Sequence, residues 1–245
     1  MRLYGKRSIT ERLKSNPRSI KKVYIQEHLS RPDIAQLARQ HHVPVENLSE
    51  KRFHQLAQGA HHQGVMAETD KFPYTDLDEI LSSDNKPVLL FLDRINDPQN
   101  LGSIIRTSAC FGGFCVVIPI RESVEVTEAV LKVACGGENF TPICQVTNLA
   151  VAVQKAKEEG YWIGATVVEE GESPRNISLN FPLGLIFGSE GGGIRPGLIK
   201  HIDYKLTLPM TANLSFNVAM AVSVFCYETV CQRNISPVKK TQTKI

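Results

Sequence analysis

The longest apolar runs are Val88–Leu92 (VLLFL), Phe114–Pro119 (FCVVIP), Tyr161–Val168 (YWIGATVV) and Leu183–Phe187 (LGLIF). Such nearly continuous runs suit strands covered on both faces, as in a parallel sheet. Between them the apolar period lengthens to that of a helix. The pattern predicts helices over Leu101–Phe111, ended by Gly112 and Gly113, over Val124–Ala134 and over Leu149–Glu159. Lys205–Leu208 makes one more strand, and Phe216–Gln232 a long closing helix with apolar positions at 218, 222 and 225. Strand–helix–strand order at this spacing is a βαβ arrangement.

The first 68 residues read as a smaller unit: a strand at Lys22–Gln26, then Ser30 as cap and Pro32 as early-turn proline of a helix through Ile34, Leu37 and Ala38. A short strand at Val43–Val45, a helix from Ser49 to Leu56 and a strand at Gly64–Ala67 complete it. Residues 69–86 are polar and predict a linker with one short helix. The expected layout is an α/β N-terminal domain over 1–70, a linker over 71–86, a mostly parallel-sheet α/β domain over 87–235 and a loose tail over 236–245. There are no internal repeats.

Charge sharpens that division. The 245 residues carry a net charge of +3. Residues 1–72 hold 13 Lys/Arg against 7 Asp/Glu, and residues 73–245 hold 15 against 18. A basic first part suggests a polyanion-binding arm, with Arg2, Lys6, Arg7, Arg12, Arg18, Lys21 and Lys22 as its candidate cations. No run approaches the roughly 20 apolar residues of a membrane helix, and the N-terminus has no signal-peptide core, so a cytoplasmic protein is expected. The six cysteines form no CxxC, and most sit in apolar runs, which favours buried thiols over disulfides or a metal site.

Open parallel sheets bind ligands at the carboxyl ends of their strands, which directs attention to three loops. The first leads through DPQNLGSIIR, with Asn100 and Gly102 at a helix start and Arg106 one turn further on. The second, FGSEGGGIRP, sets four glycines and Glu190 directly after a buried strand. It is neither a dinucleotide fingerprint nor a Walker loop, because GxGxxG fails in every register and no GK[ST] follows. A nucleotide-dependent oxidoreductase is thereby excluded. The third, LPMTANLSFNVA, places Ser215 and Asn217 around Phe216 before the closing helix, where plain N-capping is an equal explanation.

Taken in order, these loops resemble the SpoU branch of the SPOUT RNA methyltransferases. Asn100, Gly102 and Arg106 match its first motif. Gly188, Glu190, Gly191 and Gly193 match the second, with Ile194 and Pro209 downstream; Ser215 and Asn217, followed by Val218 and Ala219, match the third. Leu3–Lys6, Ile20–Ile25 and His62–Ala67 resemble the L30e-like substrate-binding domain of the family, and Glu125–Gly137 is similar to the bacterial 23S rRNA (guanosine-2′-O-)methyltransferase subgroup. Phe216 stands where relatives often carry leucine, and the loop from Met210 to Asn217 is about one residue shorter than in that subgroup.

The resemblance implies a trefoil-knotted C-terminal domain, a homodimer and S-adenosylmethionine as cofactor, with no metal. It implies transfer of a methyl group to a ribose 2′-hydroxyl, of 23S rRNA guanosine in preference to tRNA. It assigns Arg106, Asn100, Glu190, Ser215 and Asn217 to catalysis, and Thr166, Gly188, Gly193, Leu208 and Phe216 to cofactor binding. The alternatives are a tRNA 2′-O-methyltransferase and an inactive RNA-binding or ribosome-assembly protein.

Overall fold

A computed structural model describes residues 1–29, 31–57, 62–189, 191–212 and 214–233. The first domain is built from β1 (Arg2–Tyr4), α1 (Lys6–Ser15), a 3₁₀ turn at Pro17–Ser19, β2 (Ile20–Gln26), α2 (Pro32–Gln40), β3 (Val45–Leu48), α3 (Glu50–Ala57) and β4 (Val65–Thr69). Its sheet runs β1-β4-β2-β3, with β4 antiparallel to both neighbours and β2 parallel to β3. Pro32 opens α2 at its first position, while Ser30, the expected cap, lies outside the described residues. The expected strand at Val43–Val45 begins two residues later, because Val43 closes the end of α2 through an N–H bond to the Ala38 carbonyl.

The segment joining the domains carries α4 (Leu77–Leu81), capped by Asp76. It is packed against the second domain: Leu77 and Leu81 are buried in its core, and Tyr74 Oη accepts a hydrogen bond from Val126 N–H at 2.9 Å.

The second domain comprises β5 (Val88–Leu92), α5 (Pro98–Phe111), β6 (Phe114–Pro119), α6 (Glu128–Ala134), a 3₁₀ turn at Gly137–Asn139, β7 (Ile143–Val146), α7 (Leu149–Glu158), β8 (Trp162–Thr166), β9 (Leu183–Phe187), α8 (Pro196–Ile199), β10 (Tyr204–Leu206) and α9 (Val218–Arg233). All six strands pair in parallel in the order β10-β8-β9-β5-β6-β7. The apolar runs are continuous because both faces are covered. Val88, Leu90, Leu92, Val116 and Ile118 pack with α5, α6 and α9. Their neighbours Leu89, Phe91, Cys115 and Val117 face the other way, toward α4, α7 and Leu198.

The expectation for cysteine holds only in part: Cys115, Cys144 and Cys226 are buried, whereas Cys110 and Cys231 are exposed and Cys135 is half-buried. Cys110 and Cys231 lie on outward faces of α5 and α9, and Cys135 is the left-handed residue that ends α6. Among the described residues, no helix is long and apolar enough to cross a membrane.

The two domains share a continuous apolar contact in which Leu3, Ile9 and Leu13 join the core that contains Val130 and Leu131. Arg2 N–H donates to Glu128 Oε1 at 2.7 Å, and Arg12 pairs with Glu138 at 3.2 Å with both side chains buried.

Candidate functional site

The first loop enters α5 through Asp97, which accepts from Gln99 N–H at 2.8 Å, with Pro98 in the first helical position. Asn100 is therefore not the cap but sits inside the first turn, 7% exposed. Gly102 is explained by packing rather than by a ligand: a Cβ there would lie 2.6 Å from Val133 Cβ and 2.8 Å from the Val130 carbonyl of α6. Ile104 and Ile105 are fully buried, but Arg106 emerges at the solvent edge of the helix. Its Cα lies against Gly137, and its Nη1 is 3.8 Å from Cys135 Sγ. No acidic partner reaches its guanidinium among the described residues.

The second loop leaves β9 and turns sharply. Ser189 N–H donates to the Gly193 carbonyl at 3.2 Å, and Gly193 N–H returns a bond to the Ser189 carbonyl at 3.0 Å. Gly193 has φ +59°, a left-handed conformation that costs a side-chain-bearing residue about 1 kcal/mol or more. Gly188 is fixed by space: a Cβ would collide with the Gly193 carbonyl group and lie 2.6 Å from Ile194 N. Gly188→Ala is expected to force the turn open and lower stability by about 1–3 kcal/mol. Chemical denaturation checks this, and an unchanged midpoint would contradict it. Glu190 lies outside the described residues.

The third loop ends in Asn217, which caps α9: its Oδ1 accepts from Ala219 N–H at 2.9 Å and its carbonyl from Ala221 N–H at 2.9 Å. Its Nδ2 donates to Asn100 Oδ1 at 2.9 Å. This bond ties the start of α5 to the strand of chain bearing Ser215 and Phe216. The capping role of Asn217 is thus observed, and its amide nitrogen is engaged with Asn100.

Thr166, Gly188, Gly193, Leu208, Ser215 and Phe216 all line one cavity of about 500 Å³, completed by Ile194, Val218 and Phe225 among others. Thr166 Oγ1 donates to the Ile186 carbonyl at 2.9 Å, tying β8 to β9 at the cavity edge. The opening is apolar on the Leu208 and Phe216 side and backbone-rich along the glycine turn. Its volume falls within the ~300–1,000 Å³ typical of small-molecule sites. Asn100, Arg106 and Asn217 stand outside its lining. A wider, shallower cleft of about 920 Å³ opens on the first domain beside Arg31, Arg39 and His42.

Three residues absent from the sequence reading bound the second loop. Asp93, directly after β5, is 0% exposed. Arg195 answers it, donating from its backbone N–H to Oδ2 at 2.9 Å and from Nε to Oδ1 at 2.7 Å, and Arg195 Nη1 reaches Glu122 at 2.9 Å. Arg94 donates to the Gly193 carbonyl at 3.0 Å. The available signal was a carboxylate abutting an all-apolar strand, a charge that must find a partner.

The SpoU rRNA Methylase family model matches residues 87–227, and the RNA 2′-O ribose methyltransferase substrate binding model matches residues 2–75. The chain is 33% identical over 242 residues to the 23S rRNA (guanosine-2′-O-)-methyltransferase RlmB of Pseudomonas putida, covering 96% of this chain and 97% of that one. It is 33% identical over 238 residues to a putative TrmH family tRNA/rRNA methyltransferase of Bacillus subtilis, covering 94% and 95%. Against an uncharacterized tRNA/rRNA methyltransferase of Synechocystis it is 34% identical over 241 residues, covering 94% of this chain but spanning only 62% of that protein's length. Among solved structures, the SpoU methyltransferase AviRb of Streptomyces viridochromogenes, in complex with AdoMet, superposes with a TM-score of 0.80 at 21% identity, covering 96% of this chain and 90% of that one.

Proposed function

The chain belongs to the SpoU rRNA methylase family, and from that premise we propose that it is an S-adenosylmethionine-dependent RNA methyltransferase acting on a ribose 2′-hydroxyl, of a guanosine in 23S rRNA. The observation that carries this reading is the cavity itself. One apolar wall, a turn of bare backbone and the polar residues Thr166 and Ser215 line it together, which fits a purine, a ribose and a charged tail better than a wholly apolar ligand.

When bound, the donor supplies an activated methyl group on a sulfonium; the rest falls to the protein. Phe216 and Leu208 offer flat apolar surface to a base, and the glycine turn lets main-chain groups approach without Cβ interference. Arg106 is the exposed cation that meets the RNA: it orients the ribose hydroxyl and an adjacent phosphate by charge-assisted hydrogen bonds. A guanidinium holds its proton too tightly to be a good base, so Arg106 acts chiefly as a clamp. Asn100 and Asn217 hold α5 and the Ser215–Phe216 segment in fixed relation, and the family motif assigns Glu190 to the same reaction.

The first domain supplies RNA affinity through phosphate contacts, but not through every cation nominated from sequence. Arg12 is buried against Glu138, Arg2 donates to the Leu56 carbonyl, and Lys6, Lys21 and Lys22 pair with Asp33, Asp70 and Glu46. Arg7, Arg18 and the cleft beside Arg39 and His42 present the charge that RNA would meet.

We also propose a homodimer. α9 is apolar on both sides: Val222, Phe225 and Cys226 face the core, while Met220, Val224 and Tyr227 are 57%, 42% and 52% exposed at helical spacing. A helix apolar all round requires a second cover, and a second copy of the same stripe provides one. Val224→Glu is expected to weaken association by roughly 10²-fold, read by analytical ultracentrifugation; a variant that stays dimeric at the same concentrations would contradict the placement.

The activity is tested by incubating the chain with labelled S-adenosylmethionine and protein-free 23S rRNA or tRNA and mapping the product. The expected label is on a guanosine ribose of 23S rRNA. Label on tRNA alone would support the alternative substrate, and none on either RNA would contradict the enzyme reading.

A further inference from the structure

The glycine turn is shaped by charges that never touch the cavity. Asp93 N–H donates to the Phe187 carbonyl at 2.8 Å, fixing where the turn begins. The Asp93 carboxylate grips Arg195, fixing where it ends. Arg94, itself left-handed at φ +59°, holds the Gly193 carbonyl from outside. Asp93, Arg94 and Arg195 are all absent from the cavity lining. A turn of several glycines has more conformational freedom to lose than any other segment of its length. If nothing held it, that ordering would fall on the binding step and weaken affinity.

We propose that Asp93 is a positioning residue for the methyl donor: through Arg195, and with Arg94, it preorganises the 188–193 turn so that the cavity is already formed when the donor arrives. This rests on the reading of that cavity as the donor site. The clamp acts on binding and not on the transition state, so its loss raises the donor KM and leaves kcat at saturating donor intact. A residue that merely stabilised the fold would lower the unfolding temperature without changing the donor KM of the folded enzyme.

The test is calorimetric titration of the full chain with S-adenosylmethionine and with S-adenosylhomocysteine, alongside initial-rate kinetics. Asp93→Asn keeps shape and one acceptor but removes the charge facing Arg195. It is expected to raise donor Kd and KM about tenfold, with kcat and RNA affinity within about twofold of the parent. Because loss of a buried carboxylate also threatens folding, Arg94→Ala, which leaves Asp93 paired with Arg195, provides the second arm: a folded variant with a donor KM about fivefold higher. Arg195→Lys, which keeps a cation, should restore part of the affinity lost in Arg195→Ala. Donor affinity within about twofold of the parent in the folded variants, or a fall in kcat with KM unchanged, overturns the proposal. A parent chain that binds neither ligand overturns the donor-site reading instead.

Discussion

Arg106→Ala is expected to abolish methyl transfer, a fall of about 10²–10³-fold or more in kcat, while S-adenosylmethionine binds with its wild-type affinity. The split follows from geometry. Arg106 lies on α5 outside the lining of the 500 Å³ cavity, so truncating it leaves that surface unchanged. Its guanidinium is exposed, with the Cys135 thiol at 3.8 Å as its polar contact among the described residues, so it is available to an incoming phosphate and hydroxyl. Arg106→Lys should recover little, because a single ammonium cannot reproduce a planar two-pronged contact. Single-turnover transfer of a labelled methyl group, with calorimetry on the same samples, separates the two effects. Parallel loss of donor binding and turnover would place Arg106 in the donor pocket and refute the clamp.

The largest stability effect is expected at the domain contact. Arg12 and Glu138 are 5% and 7% exposed and meet at 3.2 Å. Arg12 Nη1 also donates to Ser19 Oγ at 3.4 Å, whereas Arg12 Nε and Glu138 Oε2 have no hydrogen-bond partner among the described residues. Burial raises the Glu138 carboxyl above its ordinary 4.5, outweighing the opposing pull of Arg12. Arg12→Ala leaves a buried carboxylate without its counter-charge and is expected to lower stability by about 3–5 kcal/mol near neutral pH.

The pH dependence follows from the sign of the shift. A carboxyl whose folded pKa is raised favours the folded state fully below its unfolded value of 4.5, and loses that contribution as pH rises through the raised value. Without Arg12 the folded pKa rises further, so the variant's deficit shrinks on acidification. Urea denaturation of both proteins at about pH 5 and about pH 8 measures this; a deficit equal at both pH values would contradict it. The double change Arg12→Met with Glu138→Leu should be near neutral, since an apolar pair of similar volume carries no desolvation penalty. The contact has a functional side as well, because Glu138 belongs to the 3₁₀ turn whose Gly137 packs on the Arg106 backbone.

β5, β6 and β9 were legible at their true bounds because strands covered on both faces must be apolar throughout. β1, with three residues, and β7, with four, sit at sheet edges and present little pattern. α1 went unread because KRSITERLKS buries Ser8 and Arg12 beside Ile9 and Leu13, so its inner face does not look apolar. α6 begins at Glu128, not Val124: Val124 N–H is held by the Ile95 carbonyl and Thr127 provides the cap.

At the site, the glycines, Ser215 and Phe216 were visible as local motifs, and folding brings them to a single cavity. The Asn100–Asn217 bond spans 117 residues and the Asp93–Arg195 pair 102. Partnerships at that separation leave no periodic trace in a chain and become evident only when β5 and β9 lie side by side.

Where the methyl donor sits is measured most directly by a crystal structure of the chain with S-adenosylmethionine. The predicted result is donor density between the 188–193 turn and the Leu208–Phe216 wall, with its methyl group toward the side from which Arg106 projects. Density elsewhere, or an unliganded cavity at saturating donor, would contradict it.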